Sequence, residues 1–384
     1  NSEKMFNDLL KNFTLNKKDK ENVYFFARLG EAFHKMEKVF SKLYGNRADY
    51  EENFYKLIVE LKNMYDKREQ SLKELDIKRS ENSKWFLDPK WIGTMLYVDR
   101  YNKDLKGFKE KINYLEELGV NYIHLMPLLA MPKGENDGGY AVSDYEKVDE
   151  KFGSMKDIEE ISKIFRTKDM LLELDLVLNH TSHEHEWAKK ALAGDKEYQD
   201  MYYMYDTREI PDKFEESLPE VFPETAPGNF TYLPQINKWV FTVFNTYQWD
   251  LNYTNPKVFI EMTKILLNLA NKGVDILRLD AVAFMWKKIG TSSQNLPEAH
   301  LLLQLFKICA KIVAPGVLFK AEAIVQPEDI VKYLGEGGEE ECEIAYNASF
   351  MVYLWDAMAT QNKKILENGL SHIPRLPKGT TWIN

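Results

Sequence analysis

From residue 93 onward, short β-rich runs alternate with amphipathic helical stretches, and this limits the possible fold more than any other feature of the sequence. The runs "WIGTMLYV", "LLELDLVL" and "VLFKAE" are too short to be helices, whereas "FKEKINYLEELG", "MKDIEEISKIF" and "NPKVFIEMTKILLNLANKG" carry apolar residues at helical spacing. Strands are expected at 93–98, 120–126, 171–178, 274–280, 317–322 and 342–346. Repeated strand and helix units imply an α/β fold with a parallel sheet, either open or closed into a barrel.

The remaining stretches divide the chain. Residues 1–84, with segments such as "YFFARLGEAFHKMEKVFSKL", read as a helical N-terminal domain with a solvated charged face. Residues 85–180 hold strands one to three, and 256–384 hold strands four to six. Between them, 181–255 are rich in Pro, Tyr, Trp and Asn and are too long for an ordinary connection, so an excursion domain is expected there.

Composition narrows the partners. A formal charge of −9, with no basic run interleaved with aromatics, argues against nucleic acid and anionic membrane and suits a neutral ligand. Cys309 and Cys342 are too few for a disulfide framework or a thiolate metal site, which suits a reducing, cytoplasmic setting. No apolar run approaches the roughly 20 residues of a membrane span, and "NSEKMFNDLL" has no signal-peptide character, although the chain does not begin with Met.

Polar residues collect where strands end. The third strand closes on Asn179 and His180, the fourth on Asp280 and the fifth on Glu322. A barrel gathers its chemistry at that rim, whereas a doubly wound sheet would need a glycine-rich loop after the first strand, and "DRYNKDLKG" is not one. A (β/α)8 TIM barrel is therefore favoured. Within "GVDILRLDAVAF", Arg278 and Asp280 point to the same face, as a structural ion pair or as a carboxylate kept ionised at a cavity mouth. Asp280 and Glu322 on neighbouring strands would meet the carboxyl spacing of retaining glycoside chemistry. Arg278 would hold Asp280 ionised as nucleophile, while the apolar context "FKAEAIV" would raise the Glu322 pKa for acid/base work. His180, at a strand end, is a ligand-binding candidate. His183 and His185 match no zinc signature and read as loop residues, so no metal is expected.

These strand ends resemble the signature regions of the α-amylase superfamily (glycoside hydrolase family 13): "DLVLNH", "LRLDAV" and "KAEAI", in that order and spacing. The wording around them, including "DGGYAVSDY", "FNTYQWDLNYTNP" and "FKAEAIVQPEDIV", is similar to that of amylosucrases, over essentially the whole chain. The resemblance implies retaining glucosyl transfer from sucrose to the non-reducing end of an α-1,4-glucan, releasing fructose through a covalent glucosyl-aspartate. It assigns Asp280 as nucleophile, Glu322 as acid/base, and His180 and Arg278 to the glucosyl ring and its nucleophile. It also places Tyr140 against that ring and Asp137 in its pocket, where the residues alone would suggest core packing and turn chemistry, and it implies no cofactor.

Sucrose hydrolysis, or α-glucosidase activity more broadly, is the near alternative; a non-catalytic carbohydrate-binding protein is the distant one. The family's seventh strand carries a further aspartate, and the chain is expected to stop at "TTWIN" before it, with only six strand and helix units. The arginine that partners the residue matching Asp137 is also expected to be missing. On that reading the chain alone is inactive and exposes apolar surface and strand edges.

Overall fold

The computed structural model describes Lys11 and residues 20–383, Ile324 apart. The helical reading of 1–10 and 12–19, and with it the signal-peptide argument, lies outside the described residues.

One seven-stranded sheet forms the centre, with strands β1 (Gly93–Leu96), β2 (Tyr122–Leu125), β3 (Leu171–Val177), β4 (Ile276–Asp280), β5 (Leu318–Ala321), β6 (Ile344–Tyr346) and β7 (Thr381–Ile383). They pair in chain order and every pairing is parallel, as in part of a (β/α)8 barrel. The six expected strands are all present, one or two residues shorter at their ends. The expectation of only six is corrected by β7, which forms inside "TTWIN" and pairs Trp382 with Ala345.

The strand sequences explain why the sheet is buried on two faces. In β3 all seven residues are buried. Leu172, Leu174 and Leu176, with Leu277, Leu279 and Phe319, join the large core shared with the helices. Their alternates Leu171, Ile276, Leu318 and Ile344, with Tyr122 and Phe86, form a separate apolar layer on the other face. One register slip would exchange these two sets.

From Lys20 onward, the α-helices α1 (Lys20–Tyr44), α2 (Tyr50–Lys67) and α3 (Gln70–Glu81) precede the sheet. The crossover helices include α4 (Met155–Thr167), α5 (Pro256–Asn271) and α6 (Pro297–Val313). Helix α1 packs on α6 and α2 on α5, so Phe33, Phe54 and Phe306 belong to one continuous core. Helix α3 is tied to the feet of the strands. Arg79 Nη2 meets Asp275 Oδ1 at 2.7 Å, Leu172 N donates to Asp275 Oδ2, and Gly316 N donates to Asp76 Oδ1. Between α5 and β4 the turn needs Gly273: its φ is +90°, and a Cβ there would lie 2.3 Å from Ser162 Oγ on α4.

The 181–255 stretch combines the short helices Glu186–Leu192, Lys196–Gln199 and Glu209–Glu215 with short antiparallel strands. Phe230–Leu233 pairs with Lys238–Phe241, which pairs with Met204–Tyr205, over a small core of Tyr203, Phe214, Phe230 and Phe241. Gln248–Asp250 pairs instead with His180–Ser182, fastening the stretch to the end of β3. Apolar side chains remain exposed on Met95 of β1 and on Val352, Trp355 and Met358 of α7 (Ala348–Thr360). Among the described residues no helix is long and apolar enough to cross a membrane.

Candidate active site

Strand register brings the charged residues together. Arg278 on β4 lies opposite Asp175 on β3 and Lys320 on β5, and Leu279 lies opposite Ala321. Asp280 and Glu322 are therefore the next residues up on adjacent strands, at the rim. Arg278 Nη1 is shared between Asp175 Oδ1 at 2.5 Å and Asp280 Oδ1 at 3.0 Å, and its Nε donates to Tyr346 Oη at 3.1 Å. Tyr140 sits on the same group, its ring centre 5.5 Å from the guanidinium carbon and its hydroxyl 3.4 Å from Asp175 Oδ1.

The electrostatics correct one expectation. Arg278 does lower the Asp280 pKa, but burial raises it more, and the nearby charges of Glu322 and Asp175 add to that rise, leaving the carboxyl at about 7. The strand-end arginine thus moderates the desolvation of Asp280 without abolishing it. Asp175 goes the other way: burial raises its pKa, but the hydrogen bond and charge of His124 and then Arg278 outweigh that, and it stays below the usual carboxylate range. Burial would lower the Arg278 pKa, yet Asp175 and Asp280 hold it well above its ordinary value, so it is a permanent cation.

Glu322 is half-buried and is held by the backbone. Its Oε2 accepts from Ala281 N at 3.0 Å, and Ala281 adopts a left-handed conformation with φ +54°. A non-glycine residue held there is strained, and such strain persists where surrounding contacts enforce it.

His180 is buried, and desolvation pushes its imidazole down to about 4, so it is neutral at pH 7. Asn179 Nδ2 lies 3.2 Å from Nδ1, and both the Tyr140 carbonyl and Gln248 Nε2 lie 3.1 Å from Nε2, so three neighbours hold the ring. Asp137 lies in the "NDGGY" turn with φ +52°; burial raises its pKa, and Gln248 Nε2, donating at 3.0 Å, opposes this. Beneath them Lys287, 1% exposed, bridges Asp250 Oδ2 at 2.6 Å, Asn179 Oδ1 at 3.0 Å and the Phe284 carbonyl. On the apolar side Phe244 packs against His180 and Phe284, with ring centres 5.2 and 5.0 Å away.

The structure thus brings all six candidate residues into one rim. His183 and His185 stand outside it: His185 caps the helix Glu186–Leu192 by accepting from Trp187 N. No group of three or more His, Cys, Asp or Glu suited to a metal occurs among the described residues. Sequence reasoning missed Asp175, His124, Tyr346, Gln248, Asp250 and Lys287. Asp175 could have been found, since it lies inside "DLVLNH" on the face that β3 shares with β4's Arg278.

Residues 77–371 match the family described as alpha amylase, catalytic domain. Among curated proteins, a trehalose synthase/amylase of Mycolicibacterium smegmatis is 33% identical over 285 residues, covering 73% of this chain and 46% of that protein. A glucosylglycerate phosphorylase of Spirochaeta thermophila is 33% identical over 247 residues, covering 64% and 39%. The chain therefore spans less than half the length of either. Among solved structures, a MutB mutant in complex with the substrate sucrose is 25% identical with a TM-score of 0.61, covering 73% of this chain and 55% of that one. A family GH13_31 enzyme is 26% identical with a TM-score of 0.60, covering 75% and 58%.

Proposed function

This chain belongs to the α-amylase catalytic-domain family, and from that membership we propose that its rim performs retaining glucosyl transfer from a small α-glucoside. The carrying observation is the placement of Asp280 and Glu322 at the ends of adjacent strands, with Arg278 bonded to the first and the Ala281 amide to the second. In the proposed reaction the Asp280 carboxylate attacks the anomeric carbon, and the bond from that carbon to the leaving oxygen breaks. Glu322 gives its proton to the leaving oxygen, then takes one from the acceptor hydroxyl as the glucosyl-aspartate is consumed. Tyr140 and His180 bound the glucosyl subsite, and Asp137, steadied by Gln248, accepts from sugar hydroxyls.

The donor we propose is sucrose, and the acceptor the terminal 4-hydroxyl of an α-1,4-glucan. Two things support this choice: the amylosucrase-like wording around the strand ends, and the sucrose held by the MutB mutant. The names of the curated relatives favour a second donor, trehalose. The test is to supply each disaccharide and follow fructose, glucose, isomerised disaccharide and glucan. Fructose release with glucan growth supports the proposal. Equal glucose and fructose from sucrose leaves only a hydrolase, interconversion of disaccharides an isomerase, and saturable binding without turnover a carbohydrate-binding protein. Glucosyl fluoride, whose leaving group needs no proton, is the more sensitive donor, with mass spectrometry locating the glucosyl group on Asp280.

A further inference from the structure

Below the rim the same strands carry a second charged layer. Lys320 of β5 pairs with Glu173 of β3 at 2.5 Å, Tyr122 of β2 donates to Glu173, and the Lys320 ammonium lies 4.8 Å from the ring centre of Tyr346 on β6. All these groups are buried or half-buried, and beneath them lies the apolar layer around Ile276 and Leu318. His124 of β2, 3% exposed, stands between the two charged layers. Its Nε2 is 2.7 Å from Asp175 Oδ2 and its Nδ1 3.5 Å from Glu173 Oε1.

We propose, resting on the glucosyl-transfer reading, that His124 is a positioning residue which fixes Asp175 through Nε2–H and so aligns Arg278 on Asp280. A carboxylate can only accept, so the nitrogen facing Asp175 carries the proton. With Oδ2 held from below, Asp175 offers Oδ1 to Arg278 Nη1, the same nitrogen that holds Asp280. Without the imidazole, Oδ2 would be a buried acceptor with no donor, and Asp175 would turn or take up a proton. The guanidinium would then lose one of the two anchors on that nitrogen, and displacements near 1 Å are costly at a reacting centre. The groups facing this network are Tyr122, Glu173, Arg278, Asp280, Lys320, Glu322, Tyr346 and Tyr140. The charge of Asp175 itself raises the Asp280 pKa and that of Arg278 lowers it, so disturbing either group moves it.

The test uses shape. A glutamine amide reaches roughly where imidazole Nε2 lies, an asparagine amide roughly where Nδ1 lies. In the full chain, His124→Asn should slow glucosyl-enzyme formation from glucosyl fluoride by about tenfold or more, with a smaller change in KM, and move the acid limb of the pH profile. His124→Gln should stay within about threefold of the parent on the same scale, with the limb in place. Thermal melts of both variants report whether they fold. Equal losses in both, or an unmoved limb in His124→Asn, would overturn the proposal. A second measurement needs no turnover. Nitrogen-15 NMR of the His124 ring, assigned by its disappearance in His124→Gln, should show a protonated Nε2 that loses its hydrogen-bond shift in Asp175→Asn. A bare Nε2 would refute the positioning role whatever the activity. A glucosyl-enzyme that never forms, beside a protonated Nε2, would count against the glucosyl-transfer reading and not against this link.

Discussion

The amide of Ala281 donates to Glu322 Oε2 at 3.0 Å, so the residue after one rim carboxylate holds the other. Two side chains from different strands are thereby spaced by a single left-handed backbone position. Ala281→Gly should keep the fold and gain up to about 1 kcal/mol in chemical denaturation, because glycine tolerates φ +54°. Ala281→Val should lose about 1–3 kcal/mol, since a branched side chain resists that conformation. A valine variant as stable as the parent would show that the position is not strained.

The two carboxyls should separate by donor. Glu322→Gln should slow glucosyl-enzyme formation from sucrose yet spare glucosyl fluoride, while Asp280→Asn should stop both. Stopped-flow or quenched-flow counting of the adduct reads this directly. Equal loss of both donors in Glu322→Gln would remove Glu322 from its acid/base role.

With Asp280 at about 7, glucosyl-enzyme formation by the free protein should rise with pH through about 7. Arg278→Gln should push that limb higher, because Arg278 is the group that opposes burial. The same shift has a sign for stability. The folded pKa lies above the usual carboxylate range, so the contribution is fully present below about 4 and is lost as pH rises through 7. Asp280→Asn should therefore stabilise the fold at pH 8 more than at pH 4, by on the order of 1 kcal/mol or more. Urea titrations at the two pH values measure the difference, and an equal effect at both would contradict the shift.

Lys287→Met should cost about 3–5 kcal/mol, because it leaves Asp250, 0% exposed, as a buried charge without its ammonium. Adding Asp250→Asn should recover part of that loss, as a double-mutant cycle in urea would report. Glucosyl-enzyme formation should fall with it, since Asn179, which lies beside His180, loses its lysine contact.

The candidate site was legible where chemistry sits at the end of a strand pattern. Arg278, Asp280 and Glu322 stand out because ions in apolar β runs demand an explanation. Lys287 and Asp250 did not stand out, since each reads locally as an ordinary charged loop residue. Their meaning comes from contact with each other and with Asn179, 108 and 71 residues away along the chain. Strand β7 escaped notice because three residues carry too little alternation to register, and only its pairing with β6 defines it. The balance at Asp280 was misjudged because the field of Arg278 can be guessed from a two-residue spacing, whereas the depth of burial depends on every neighbouring element.

The clamp of Arg79 on Asp275 acts on the foot of β4, the strand whose upper end carries Arg278 and Asp280. A helix 196 residues earlier in the chain thus works as the fixed end of a lever only a few residues long. Warming that frees α3 would not need to melt the sheet to be felt at the rim: tilting β4 by a small angle moves its tip. Loss of turnover should then precede loss of helical signal, making the N-terminal helices the mechanical fuse of the molecule.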